Sequence, residues 1–250
     1  MLLGGLQKTT LVDYPGKVVC TVFTVGCNFA CPFCHNSDIL SREAFEKSDY
    51  KQVKEKNFFE FLSSREGILD GVCITGGEPT LQKDLVEFCR KIKERGLAVK
   101  LDTNGSRPEI IKKLIEADLV DYFALDYKIN WSRYSEAIGV KFPVKKVKES
   151  FRLVLDWFLA GGGKYDFRTT VVPGLHDKKE LLKMAGQLKD FFVEQGLEEK
   201  DHFWALQSFR PQNCLDDKFN KLAAFSYNQE EGFLKAIQEV LPQTIWRGRE

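Results

Sequence analysis

Short runs of β-branched and aromatic residues recur at 18–25, 72–75, 98–101, 122–125, 166–172 and 203–207, and helical stretches separate most of them. Between 82 and 95, Leu85, Phe88, Cys89 and Ile92 share one face, with Lys83, Glu87, Lys91 and Glu94 largely opposite, and Gly96 ends the helix. Ser106 and Glu109 stand at capping-box spacing, with Pro108 in the first turn, ahead of Ile110, Ile111, Leu114 and Ile115. Another helix runs over 147–159 to Gly161, Gly162 and Gly163, and one more opens at Asp177 and Glu180 through Leu181, Leu182, Leu188 and Phe191. Strands alternating with helices predict a parallel sheet. Right-handed crossovers then put every strand's C-terminal end on one face, so the loops after the strands share one mouth. The chain is short of eight repeats. It is therefore expected to form an α/β partial (βα)6 barrel, open on one side; a doubly wound sheet is the alternative. A single domain over 1–250 is expected, with a cysteine loop at 26–36, a barrel at about 17–210 and a C-terminal helix and tail at 211–250.

With 43% hydrophobic residues in 250, the chain can bury a large core. Lys plus Arg (37) nearly cancel Asp plus Glu (36), so there is no general field to hold nucleic acid or an anionic membrane. The longest apolar run, at 18–25, is too short to span a bilayer, and Lys8 and Asp13 interrupt any secretory leader. A cytoplasmic protein is expected, with neither nucleic acid nor membrane as partner. In that reducing setting seven cysteines, an odd number, do not read as a disulfide framework, and the clustered ones read as metal ligands or reactive groups.

Cys27, Cys31 and Cys34 lie in one loop directly after the first core strand, followed by His35 and Asn36. Thiolates select zinc or iron–sulfur clusters, and a structural zinc normally takes four ligands. His35 is a candidate fourth, although it abuts Cys34. Cys20, Cys73, Cys89 and Cys214 stand apart and read as small buried hydrophobes. Three thiolates on a 4Fe–4S cube leave one iron open, and an open metal position is a reaction site.

The remaining strand exits carry further polar groups. Gly76 and Gly77 allow a ligand to meet backbone, and Glu78 offers a carboxylate to an ammonium, although such a turn also occurs for structure alone. Asp102 and Thr103 face the mouth ahead of the Asn104-Gly105 turn. Asp126 and Lys128 fall on one side by strand alternation. Arg168, inside a core strand, needs a carboxylate from the protein or from a ligand. His176 and His202 read as ordinary core or solvated histidines.

The C-x-x-x-C-x-x-C spacing after a first strand, with Phe33 before the last cysteine, resembles the radical S-adenosylmethionine (SAM) superfamily. The Cys34-His35-Asn36 tail is similar to the activating enzymes of glycyl-radical enzymes. From Leu11 to Gln207 the chain resembles the activating proteins of anaerobic ribonucleoside-triphosphate reductase. The resemblance implies a 4Fe–4S cluster on Cys27, Cys31 and Cys34. It implies SAM held by Phe33, His35, the Gly76-Gly77-Glu78 turn, Asp102, Asp126 at the ribose, Lys128 at the methionine carboxylate, and Arg168. Asp102 and Asp126 are also candidates for a monovalent cation. The implied reaction takes an electron from flavodoxin or ferredoxin, splits SAM to methionine and a 5′-deoxyadenosyl radical, and removes hydrogen from a glycine of a partner, expected to be anaerobic ribonucleotide reductase. Pyruvate formate-lyase activators carry a histidine near Gln207, so the formate-lyase branch fits less well. A radical SAM enzyme on a small molecule, of the 7-carboxy-7-deazaguanine synthase type, and a non-catalytic zinc adaptor are the competing readings.

Overall fold

All six expected strands form, and each is joined to the next in parallel. A computed structural model describes residues 1–248; 249 and 250, the end of the expected tail, lie outside the described residues. The core strands are β2 (Val19–Thr24), β3 (Gly71–Gly76), β4 (Ala98–Thr103), β5 (Tyr122–Asp126), β6 (Lys164–Val171) and β7 (Trp204–Ser208). Two more strands lie outside the expected set: β1 (Leu3–Thr10), antiparallel to β2, and β8 (Ile245–Arg247), parallel to β7. Spatial order follows chain order from β1 to β8, which are the two edges of an open sheet. A doubly wound sheet would reverse direction partway; this one does not.

The helices are α1 (Arg42–Lys47), α2 (Glu55–Ser63), α3 (Leu85–Lys93), α4 (Pro108–Glu116), α5 (Tyr134–Ile138), α6 (Val144–Leu159), α7 (Lys178–Glu194), α8 (Asp217–Asn220) and α9 (Tyr227–Gln238). Asp177 caps α7, accepting from the Glu180 N–H at 2.7 Å. The capping box expected from Ser106 does not form. Arg107 is the residue that precedes α4, and the Ser106 hydroxyl turns instead to Asn28 Oδ1 at 3.3 Å. Among the described residues no helix is long and apolar enough to cross a membrane.

Strand alternation divides the sheet into two chemistries. Val72 and Ile74, Val99 and Leu101, Phe123 and Leu125, Tyr165 and Phe167, and Trp204 and Leu206 are buried in one apolar core with the helices. Phe151 of α6, for example, stacks on Phe167 with ring centroids 3.9 Å apart. The residues between them point the other way. Tyr14, Val19, Cys73, Tyr122 and Ala124 form a separate small apolar cluster near the strand starts, and Lys100, Asp102, Asp126 and Arg168 follow toward the strand ends. The concave side thus passes from apolar floor to charged mouth.

Candidate functional site

Cys27, Cys31 and Cys34 line a single cavity at the C-terminal ends of the strands, together with Phe33, His35, Gly76, Gly77, Glu78, Asp102, Asp126, Lys128 and Arg168. Every residue singled out from sequence for cofactor contact is in that wall. Thr103, Asn104, Thr170 and Gln207 are among the other residues that line it. The histidines set apart as ordinary do not contribute: His176 and His202 are buried elsewhere.

The cysteine loop is held by backbone bonds on both flanks. Gly26 and Cys27 donate to Ile39 and Leu40 at 2.8 and 2.9 Å, and Ala30 donates to Ile138 at the end of α5 at 2.9 Å. Leu215 and Asp216 from the C-terminal segment donate back to Cys34 and Pro32 at 3.1 and 2.9 Å. The β3 exit is tied to the same loop, with Gly77 donating to Thr24 at 2.8 Å, Glu78 to Gly26 at 2.7 Å, and Asn36 Nδ2 to the Gly76 carbonyl at 3.1 Å. This close seam accounts for both glycines. Gly76 has φ +113°, and a Cβ on Gly77 would stand 2.2 Å from the Gly26 carbonyl oxygen. The chain's own backbone, before any ligand, demands glycine there.

Glu78 is fully buried, and its carboxylate is occupied within the protein. Oε1 accepts from the Thr80 N–H (3.1 Å), the Thr80 hydroxyl (2.6 Å) and the Thr103 hydroxyl (2.7 Å), while Oε2 accepts from the Asn104 N–H (2.7 Å). Burial raises its pKa and these donors pull it back. Glu78 therefore acts as a fastener between the β3 and β4 exits.

Across the mouth runs a ladder of alternating charge, from Lys100 through Asp102, Arg168 and Asp126 to Lys128. Arg168 answers the question left by sequence, because both its partners are protein carboxylates: Asp102 at 2.8 Å and Asp126 at 3.1 Å. Lys128 closes on Asp126 at 3.0 Å, and Lys100 bonds the other oxygen of Asp102. Burial alone would raise Asp102, but Arg168 and Lys100 outweigh it and hold the carboxyl at about 2. Burial likewise opposes the charge on Lys128, and Asp126 overcomes it, so the ammonium persists well above the usual lysine range. The guanidinium of Arg168 stands between the two carboxylates that were candidates for a monovalent cation. Lys100 escaped sequence reasoning, yet the signal was present: a lysine two positions before Asp102 in a strand must share its face.

The donor set fits an iron–sulfur cluster. Burial pushes the thiols up, Cys27 to about 12 and Cys31 to about 11, with Glu78 adding to the rise at Cys27 and Lys128 pulling Cys31 back. Such thiols give up protons on meeting a strongly cationic group. Among the described residues no three His, Cys, Asp or Glu side chains are grouped to hold a single metal ion. Arg168 Nε is buried without a hydrogen-bond partner among the described residues.

The sequence signature of the radical SAM superfamily matches residues 21–185, about two thirds of the chain. The chain belongs to that superfamily. Its members work with a 4Fe–4S cluster and SAM. A Methanocaldococcus jannaschii protein, provisionally named a glycyl-radical enzyme activating enzyme, is 32% identical over 98% of this chain and 95% of its own length. The pyruvate formate-lyase-activating enzyme of Clostridium pasteurianum is 28% identical over 94% of this chain and 96% of its own. Among solved structures, Streptococcus suis SuiB bound to S-adenosylmethionine superposes with a TM-score of 0.61 at 16% identity, over 90% of this chain and 48% of that one. The radical SAM chain thus spans about half the length of that structure, and the likeness speaks for the fold.

Proposed function

We propose that this radical SAM enzyme generates a glycyl radical on a partner protein, an anaerobic ribonucleotide reductase, in a reducing cytoplasm. The observation that carries the reading is the meeting of three loop thiols and an alternating charge ladder in one cavity at the strand ends. The whole-length likeness to a protein named as an activating enzyme and the Cys34-His35-Asn36 sequence support a protein substrate.

In this reading Cys27, Cys31 and Cys34 hold the cluster. Bound there, a 4Fe–4S cluster would supply one electron, received from a flavodoxin or ferredoxin, for reductive cleavage of the SAM sulfonium to methionine and a 5′-deoxyadenosyl radical. Lys128, held cationic by Asp126, pairs with the methionine carboxylate, and Asp126 accepts from a ribose hydroxyl. The Gly76-Gly77 backbone forms the wall beside the methionine amine, while Glu78 fixes that wall through Thr103 and Asn104. Asp102 acts through Arg168, which it holds in the cavity wall. Phe33 and His35 line the cavity beside the cysteines. The partner's glycine Cα gives up a hydrogen atom to the 5′-carbon, leaving 5′-deoxyadenosine and a radical on glycine. The chain works as a single domain.

The test is anaerobic reconstitution with iron and sulfide, then reduction with SAM in the presence and absence of the reductase. A glycine-centred electron paramagnetic resonance (EPR) doublet that requires the partner supports the proposal. SAM cleavage that proceeds with no such doublet, and product formation from a small molecule, would replace it with the small-molecule reading.

A further inference from the structure

Asn104, the first residue of the loop leaving β4, is 5% exposed and reaches across to the cysteine loop. Its backbone N–H is fixed on Glu78 Oε2 at 2.7 Å. Its side-chain oxygen accepts the Ser106 N–H at 2.9 Å, and this bond decides which way round the amide lies. With the oxygen committed to Ser106, the NH2 group must face the cysteines. There Nδ2 is 3.0 Å from Asn28 Oδ1 and 3.8 Å from Cys27 Sγ. The Phe29 backbone N–H approaches the same sulfur at 3.4 Å. An asparagine amide has two N–H groups, enough to serve Asn28 and Cys27 together.

We infer that Asn104 tunes the cluster through Cys27, donating an N–H to the ligand sulfur and so making the cluster easier to reduce. The inference rests on the proposed assignment of Cys27 as a cluster ligand. Once ligated, the sulfur is a thiolate, and a hydrogen bond to an anionic acceptor is stronger than one to a neutral thiol. Reduction adds negative charge that spreads onto the ligand sulfurs, so a donor there stabilises the reduced form more than the oxidised one. Burial heightens the effect, because little water competes for the sulfur. Asn104 is thus a positioning and tuning residue that works through Cys27 and makes no claim on SAM itself.

Two variants separate tuning from scaffolding. Asn104→Ser keeps a hydroxyl that can accept the Ser106 N–H but cannot reach the sulfur. Asn104→Asp keeps the acceptor and the shape, loses the donor, and adds negative charge. Each is reconstituted anaerobically without SAM, assayed for iron and sulfide per chain, and titrated by EPR-monitored reduction. Both variants are expected to load as fully as wild type. Reduction in Asn104→Ser should be about threefold to tenfold less favourable, a negative shift of roughly 30 to 60 mV at 59 mV per tenfold for one electron. Asn104→Asp should shift further in the same direction. Full loading with an unchanged potential in Asn104→Ser overturns the inference and leaves the cluster assignment standing. Should Asn104→Ser load poorly, an unchanged potential in Asn104→Asp does the same. A wild-type chain that takes up no iron overturns the cluster assignment, and this inference with it.

Discussion

Arg168 holds two carboxylates apart, and removing either should cost more than the pair is worth, since the partner is then left charged and poorly compensated in a buried site. Asp102 is the sharper case because Lys100 and Arg168 both depend on it. Asp102→Asn is expected to lower unfolding free energy by about 3 to 5 kcal/mol in urea denaturation; a loss under about 1 kcal/mol would contradict the ladder. His176 offers a pH test. Its Nδ1 accepts the Val172 N–H at 2.9 Å, so Nε2 carries the proton and donates to the Lys128 carbonyl at 2.9 Å. Burial lowers its pKa from 6.5 to about 4. The unfolded chain therefore takes the proton first: stability from this group is intact above pH 6.5, declines as pH falls, and is gone below about 4. The total is about 3 kcal/mol. Unfolding curves of wild type and His176→Gln should converge by that amount between pH 7 and 4. Parallel curves would show that the imidazole is not held neutral. From sequence His176 read as ordinary; nothing in its neighbours hints that it fastens the backbone of Lys128 from 48 residues away.

The seam between the β2 and β3 exits is the element on which the site depends. Gly77→Ala forces a Cβ to within 2.2 Å of the Gly26 oxygen, so the cysteine loop and the β3 turn must part. A fall of about 1 to 3 kcal/mol in stability is expected, with less iron retained per chain after reconstitution. Thermal midpoints and iron content equal to wild type would show that the seam yields freely. At this scale the sequence was legible where hydrophobic periodicity was strong: all six β-branched runs are strands, and Asp177 is a cap. It was silent where tertiary pairing decides. The β1 segment, with two glycines and the polar run Gln7-Lys8-Thr9-Thr10, lacks alternation and is a strand through its bonds to β2. The three residues of β8 are too few to carry a pattern. Ser106 had the spacing of a cap but found Asn28 instead, a partner that only the folded sheet brings near.

For the whole molecule, strand alternation and right-handed crossover suffice to explain why residues from Cys27 to Gln207 meet at one mouth. The positions of the site residues were legible because each follows a strand. Their division of labour was not: Glu78 and Asp102, expected to face a ligand, satisfy Thr103, Asn104, Lys100 and Arg168, and these bonds join residues far apart in sequence. The proposed function requires that the loop thiols hold a cluster able to cleave SAM. It is tested most directly by quantifying 5′-deoxyadenosine after anaerobic reduction of the reconstituted chain and its Cys27→Ala, Cys31→Ala and Cys34→Ala variants. Reductive SAM cleavage is expected in wild type, and its loss, with loss of iron, in each variant. Undiminished 5′-deoxyadenosine from any of the three would contradict it.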